Sequence, residues 1–235
     1  MDIGRAFTFI TEDDEWITKV GIGAILSLLS FLILPVFLLG GYLVGVTRNV
    51  KDGLPQPLPR WTNWEKLFMD GLYVAIAQLI YTLPFWLLVC IAGVVSVGIG
   101  GVGDQDVAAA GISAVVLVTV CLALLFLIAL FFISPAIVIQ YVRTDEFGAT
   151  LRFGEVLGIA RDHMGKILMA ALAALVASLV LSAVVGALNV IPCLGQIVGL
   201  VIGIVAGPWL SMSIGHLYGQ IAANVDMTKP PKPAF

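Results

Sequence analysis

The chain has 235 residues, of which 60% are hydrophobic and 11% charged, and its mean hydropathy is +1.07. Soluble domains carry about 25% charged residues, so this composition excludes an ordinary water-soluble protein and predicts one embedded in a membrane. The formal net charge of −3 is small and dispersed, which excludes a nucleic-acid partner. Cys90, Cys121 and Cys193 show no metal-type spacing, so we expect small, buried apolar side chains there.

The N-terminal segment, residues 2–11, places Ile3, Ala6, Phe7 and Ile10 at helical spacing. This pattern predicts a short amphipathic helix in the membrane interface, ended by the acidic run 12–15 and anchored by Trp16. A frayed tail is the alternative. The basic start of a cleaved signal peptide is missing, so we expect the N-terminus to be retained.

The first apolar segment, residues 17–46, is interrupted at Pro35. As one kinked helix it would be roughly 45 Å long, half as long again as the hydrocarbon core of about 30 Å. As a hairpin broken at Pro35 it would have unequal arms of roughly 27 and 17 Å. Length alone leaves both interpretations open.

A polar segment with prolines at 55, 57 and 59 follows, and it predicts an extended strap along the membrane surface. Thr62 and Glu65 have the spacing of a capping box, which predicts the start of the next helix. We expect Trp61 and Trp64 to anchor this region at the interface, the commonest role of tryptophan beside apolar segments.

Further apolar segments run over 71–97, 108–142 and 167–190, followed by a last one from residue 195. The glycine-rich stretch 98–106 predicts a flexible loop. The polar insertion 143–166 carries an apolar stripe and predicts a second interfacial helix. We expect the proline-rich tail, 226–235, to be disordered, and residues 1–235 to form a single integral membrane domain.

Small residues recur at every fourth position of the last segment: Gly195, Gly199, Gly203, Gly207, Ser211, Gly215 and Gly219. The preceding segment has a similar row: Ala174, Ser178, Ser182 and Gly186. Such rows let membrane helices approach closely, which predicts a glycine zipper. We expect 195–207 to pack on 174–186, and 211–219 to pack on the first membrane segment around Gly41 and Gly45.

The basic residues predict the orientation. Ten of the 12 lysines and arginines fall in the two polar insertions and the tail: Arg48, Lys51, Arg60, Lys66, Arg143, Arg152, Arg161, Lys166, Lys229 and Lys232. By the positive-inside rule these regions face the cytoplasm across the cell membrane. Together these features predict an all-α polytopic membrane bundle with six membrane segments and both termini cytoplasmic; five segments are the alternative.

The pattern Leu58-Pro59-x-Trp61-x-x-Trp64-x-x-Leu67-Phe68-x-x-Gly71-Leu72 resembles an uncharacterised prokaryotic membrane family, catalogued as domain of unknown function number 4013. The residues outside this pattern that support the resemblance are Trp16, Lys19, Gly41, Tyr42, Arg48, Phe147, Phe153, Gly165 and Lys166. The resemblance implies a multi-pass membrane protein and brings no activity with it.

The function predicted from the residues is that of a non-enzymatic structural or accessory subunit. Its expected partners are the lipid bilayer and other membrane subunits or a second copy. Catalytic, cofactor-binding and metal-binding residues are predicted to be absent, since no acid, base or nucleophile constellation occurs in the apolar segments. A small transporter or channel, or a lipid-interacting module, is the alternative; the polar candidates for it are Gln78, Gln140 and His216.

Overall fold

The computed structural model describes residues 1–101 and 104–228, and in these residues all regular secondary structure is helical. The short helix α1 is followed by a 3₁₀ turn, Phe9–Glu12, and α2 continues into another, Leu29–Leu32. The described helices are α1 Ile3–Thr8, α2 Trp16–Leu28, α3 Leu34–Lys51, α4 Trp64–Gly100, α5 Gln105–Thr144, α6 Phe147–Thr150, α7 Phe153–Asp162, α8 Met164–Leu188 and α9 Leu194–Thr228.

Four of these helices, α4, α5, α8 and α9, are long and apolar enough to cross a bilayer. A fifth span is possible by length and composition if Ile3–Glu12 and Trp16–Leu32 count as one, although they are bent by 103°. The chain is therefore an all-helical membrane protein with four or five candidate spans. Six full spans are not confirmed.

The segment around Pro35 is a hairpin and not a kinked span. Ile33 adopts a positive φ of 67°, which ends the 3₁₀ turn, and Pro35 lies in the first turn of α3, where its missing N–H costs nothing. Both ends of the hairpin meet the strap that follows α3. Lys19 Nζ lies 3.1 Å from the Leu58 carbonyl oxygen, and Asn49 Nδ2 lies 2.9 Å from that of Pro57.

The hairpin does not reach as far as the outer end of α4. Helix α3 runs antiparallel to α4, with the ring of Phe37 5.7 Å from that of Phe68 and Gly41 against Leu67. Equal rise along both helices places the hairpin tip, Ile33, level with about Ala75. From there α4 continues for roughly 37 Å to Gly100, so α2 and α3 reach only part of the depth of α4.

The packed core lies at the end of the molecule that carries the strap, α6 and α7, which we call the basic end. On α4 the buried residues stop at Tyr81, and on α5 a continuous buried run begins at Pro135. In the most apolar 18-residue stretches of α4 and α5 no residue is buried. We call the part of the molecule beyond Tyr81, including the α8–α9 turn, the outer half.

The glycine zipper is not confirmed, and part of the expected packing is wrong. Gly195 and Gly199 contact the end of α8, but a Cβ at Gly203, Gly207 or Gly186 would have no neighbour within 4 Å. A row at spacing four drifts roughly 40° per step, whereas the partly buried face of α9 continues through Ile202 and Ala206. Gly203 and Gly207, the next members of the row, therefore point away from α8.

The expectation that residues 211–219 pack on the first membrane segment is confirmed for the partner helix, which is α3. Gly215 lies against Leu43 and Val46 of α3, and Gly219 against Thr47 and Val50. The contacting residues of α3 are thus not Gly41 and Gly45, which face Leu67 and Pro59 instead. At both contacts a glycine of α9 lies against backbone atoms of α3, which allows the two helices to approach closely.

Three smaller expectations also change. Cys90, Cys121 and Cys193 are exposed on the protein surface, because they lie on the apolar faces of the outer half and not in the core. Helix α4 is capped by Asn63, whose Oδ1 accepts from the Lys66 amide, one residue after the predicted Thr62. Residues 226–228 continue α9, and the rest of the predicted disordered tail, 229–235, lies outside the described residues.

Candidate functional site

The strap is fastened to the hairpin by a buried lysine. Lys19 is 6% exposed, and its ammonium group donates to Asp13 Oδ2 at 2.6 Å and to the Leu58 carbonyl oxygen at 3.1 Å. Asp13 is 3% exposed, so the two charges neutralise each other out of contact with water. Removing one partner would leave the other charge buried and unpaired, which is the costly way to break such a pair.

The Leu-Pro-x-Trp-x-x-Trp pattern completes this attachment. Trp61 donates from Nε1 to the Lys19 carbonyl oxygen at 3.0 Å and stacks on Tyr42, with ring centroids 4.3 Å apart. The Tyr42 hydroxyl donates to the Pro59 carbonyl oxygen at 3.0 Å. Trp61 is thus a buried clamp, 8% exposed, and the expectation that it anchors in the interface is wrong. Trp64, stacked on Trp61 and 42% exposed, fits the predicted interfacial position.

A second polar cluster joins the ends of α3, α4 and α5 at the basic end. Arg48 donates to Asp70 Oδ2 at 2.9 Å and also to Asp145 Oδ1. The Tyr141 hydroxyl donates to Asp70 Oδ1 at 2.7 Å. Asp70 is 5% exposed, whereas 58% of the Asp145 side chain is exposed. This cluster ties three helices together through one guanidinium group.

The electrostatics of the cluster keep Arg48 charged. Burial by itself lowers the pKa of the guanidinium, but the hydrogen bonds and negative charges of Asp70 and Asp145 outweigh it and raise the pKa overall. Lys51 lies beside the cluster and donates to the Val142 carbonyl oxygen at 3.2 Å, near the end of α5. A cation at a helix C-terminus complements the negative end of the helix dipole. These contacts hold the helix ends in place.

The polar residues singled out in the apolar segments do not come together. Gln78 donates to the Ser134 hydroxyl at 3.0 Å, between α4 and α5. Gln140 donates to Glu155 Oε2 at 2.7 Å, between α5 and α7. His216 lies against the ring of Phe9, at a centroid distance of 4.5 Å. Each of the three therefore links two segments at a separate place in the structure.

Helices α3 and α4 cross very closely at Gly41 and Gly71. A Cβ on Gly41 would lie 1.7 Å from the Leu67 carbonyl oxygen, and one on Gly71 would lie 1.8 Å from that of Phe37. Only glycine permits this approach of α3 and α4. The spacing of small residues does not predict this pairing, although Gly71 belongs to the family pattern and Gly41 to its supporting residues.

An open groove lies between α2 and the α8–α9 turn. It encloses about 500 Å³. Its polar lining residues are Ser27, Asn189 and Gln196, and the small ones are Gly199 and Gly203. Among the side chains of residues 1–101 and 104–225 there is no group of three or more His, Cys, Asp or Glu placed to hold a metal.

The comparisons with known proteins agree with the resemblance found in the sequence. Residues 25–190 match the family described as protein of unknown function (DUF4013), and because this match covers more than half of the chain, the protein belongs to that family. Neither the curated proteins nor the solved structures include a significant match. Two of the residues that carry the family pattern, Trp61 and Gly71, lie in the clamp and at the helix crossing described above.

Proposed function

We propose that this protein is a non-enzymatic accessory subunit of the cell membrane that packs against another membrane protein through the outer half of α8 and α9. The proposal rests on Gly203, which has no neighbour within 4 Å of its Cβ position although it lies in a row of small residues. In membranes such rows lie at helix–helix contacts, because lipid tails gain nothing from a glycine.

The groove beside Gly203 supports a protein as the occupant. Its lining combines the small residues Gly199 and Gly203 with three polar side chains, from Ser27, Asn189 and Gln196. Serine and amide side chains hydrogen-bond across membrane helices, whereas lipid tails offer them no partner. A helix of another subunit would satisfy both features at once.

The substitution Gly203→Leu tests this function. We expect thermal unfolding in mild detergent to occur no lower than in the wild type, since a Cβ at this position has no neighbour within 4 Å and helix propensity favours replacing glycine. We expect recovery of the partner, identified by mass spectrometry after purification from native membranes, to fall at least about tenfold, as a loss of about 1.4 kcal/mol would cause.

Val97→Leu is the matched control, because Val97 is 79% exposed on α4 and lies away from the groove. Val97→Leu should leave both the unfolding temperature and the recovery of the partner unchanged. Equal recovery of the same proteins with wild type and Gly203→Leu would refute the proposal. If Gly203→Leu abolishes a dimer of this chain and no other protein is lost, the partner is a second copy.

The proposed orientation places the basic end in the cytoplasm. Four spanning helices and the two arms of the partial hairpin then make the six predicted segments, with residue 2 and the end of α9 on the same side. The link between them supports this arrangement, since the Asp2 amide donates to Gln220 Oε1 at 2.7 Å. The clustering of basic residues at this end supports the cytoplasmic assignment.

A further inference from the structure

An apolar cleft separates α1 from α8. It encloses about 470 Å³, which lies within the range of small-molecule sites. Its lining is apolar throughout: Ile3, Phe7, Met169, Leu172, Ala173, Val176 and Ala177. Several of these side chains are half-exposed, Ile3 at 39% and Leu172 at 50% among them, so the cleft is open along one side.

The α1 wall of the cleft is fixed in position. Gln220 on α9 accepts from the Asp2 amide at 2.7 Å and donates back to the Asp2 carbonyl oxygen at 2.8 Å. Ala6, on the neighbouring face of α1, is fully buried in the main core. These contacts hold α1 against α9, and the cleft lies between α1 and α8.

A cationic side chain stands at the foot of the cleft. Lys166 precedes Met169 by three residues and Ala173 by seven, so all three share one face of α8. Helical side chains lean toward the N-terminus of the helix, which directs Lys166 away from the cleft floor and toward the basic end. Lys166 is half-buried, and no ion pair joins it to another side chain of residues 1–101 or 104–225.

We propose that this cleft binds one acyl chain of an anionic phospholipid, whose phosphate group lies at Lys166. The apolar walls match a hydrocarbon chain and offer no hydrogen bonds to a polar ligand. The lysine at the foot matches the negative headgroup, an arrangement that basic pockets beside membrane helices use for anionic lipids. The site involves α1 and α8 near the basic end, so it stands or falls separately from the subunit contact at Gly203.

The wild-type protein supplies the first test. Phosphatidylglycerol with a photoreactive group in its acyl chain should crosslink to α1 and to residues 169–177 when the protein is in nanodiscs. Unlabelled phosphatidylglycerol should compete, and phosphatidylcholine should compete about fivefold less well, since one basic residue near an anionic lipid gives about that preference. Crosslinks spread evenly over the lipid-facing helices would overturn the proposal.

Two variants with matched controls give the second test. Lys166→Gln should abolish the fivefold preference, whereas Lys66→Gln, at an exposed lysine in the first turn of α4, should keep it. Ala177→Phe should fill the cleft and reduce crosslinking to it, whereas Ala183→Phe, at an exposed position on another face of α8, should not. If the variants match their controls, the cleft is an ordinary lipid-facing surface and the proposal is wrong.

Discussion

At the scale of single residues, Arg48 connects the ends of α3, α4 and α5 at the basic end. Its guanidinium group bonds two carboxylates that differ sharply in environment, since Asp70 is buried and Asp145 is largely exposed. Exposed ion pairs contribute little to stability, while removing one partner of a buried pair is strongly destabilising. The same arginine therefore offers an internal comparison of both cases.

We predict that Asp70→Ala lowers the free energy of unfolding by about 3 kcal/mol, because it leaves the Arg48 charge and the Tyr141 hydroxyl short of a buried partner. Asp145→Ala removes only the exposed partner and should cost less than about 1 kcal/mol. Unfolding of both variants in detergent measures the difference. Equal losses would show that the cluster is not organised around the buried carboxylate.

A second residue-scale prediction concerns the crossing of α3 and α4. Gly71→Ala would place a Cβ 1.8 Å from the Phe37 carbonyl oxygen, so the two backbones must separate, at a cost of about 3 kcal/mol. Gly93→Ala in the same helix meets no neighbour and should stabilise the protein by up to about 1 kcal/mol through helix propensity. Thermal unfolding of the two variants should shift in opposite directions, and a tolerated Gly71→Ala would contradict the crossing.

These residues show what the sequence could not reveal. Lys19 and Asp13 flank an apolar segment, where snorkelling charges are common, and nothing in the local pattern distinguishes a buried pair from an exposed one. Gly71 and Ala75 make only one pair of small residues at spacing four, too short a row to predict the crossing with Gly41. In contrast, Gln140 and His216 stand out in the sequence as polar residues within apolar segments, and each contacts a second segment in the structure.

At the scale of elements, the strap between α3 and α4 connects both arms of the hairpin to the spanning bundle. Leu58 and Trp61 bond the start of α2, while Pro57 and Pro59 bond α3. The prolines predict an extended strap, and the structure confirms that residues 54–60 contain no helix. The indole N–H of Trp61, which donates to the Lys19 carbonyl oxygen, is one of the groups that attach the strap to α2.

We predict that Trp61→Ala costs about 3 kcal/mol, because it opens a cavity beside Tyr42 and leaves the Lys19 carbonyl oxygen without its donor. Trp64→Ala is the matched control and should cost much less, since its ring is 42% exposed. Proteolysis within the strap, followed over time in detergent, would report the same difference. Equal protection of the two variants would mean that the strap is held by its prolines alone.

The number and depth of the elements depend on contacts that a single sequence does not display. The apolar run 17–46 is long enough for one kinked span or two short arms, and only the contacts of both ends with the strap decide for the hairpin. The row of small residues on α9 correctly identifies a helix that others approach closely. It does not reveal that a Cβ at Gly203 or Gly207 would have no neighbour within 4 Å.

At the scale of the whole molecule, the two halves differ in how their helices are held. The basic end contains the buried core, the clamp on the strap and the Arg48 cluster. In the outer half, α4 and α5 share one partly buried stripe. The groove beside Gly203 is open. This asymmetry suits a protein that is anchored at one membrane surface and contacts a partner within the membrane.

The most direct test of this architecture is cysteine accessibility in intact cells, in a background with Cys90, Cys121 and Cys193 replaced by alanine. We expect a membrane-impermeant maleimide to label Gly101→Cys, at the outer end of α4, from outside. Arg60→Cys, in the strap, should react only after permeabilisation, and Phe31→Cys, at the hairpin tip, should react in neither state. Labelling of Phe31→Cys from outside as fast as Gly101→Cys, or of Arg60→Cys in intact cells, would contradict a partial hairpin held at a cytoplasmic basic end.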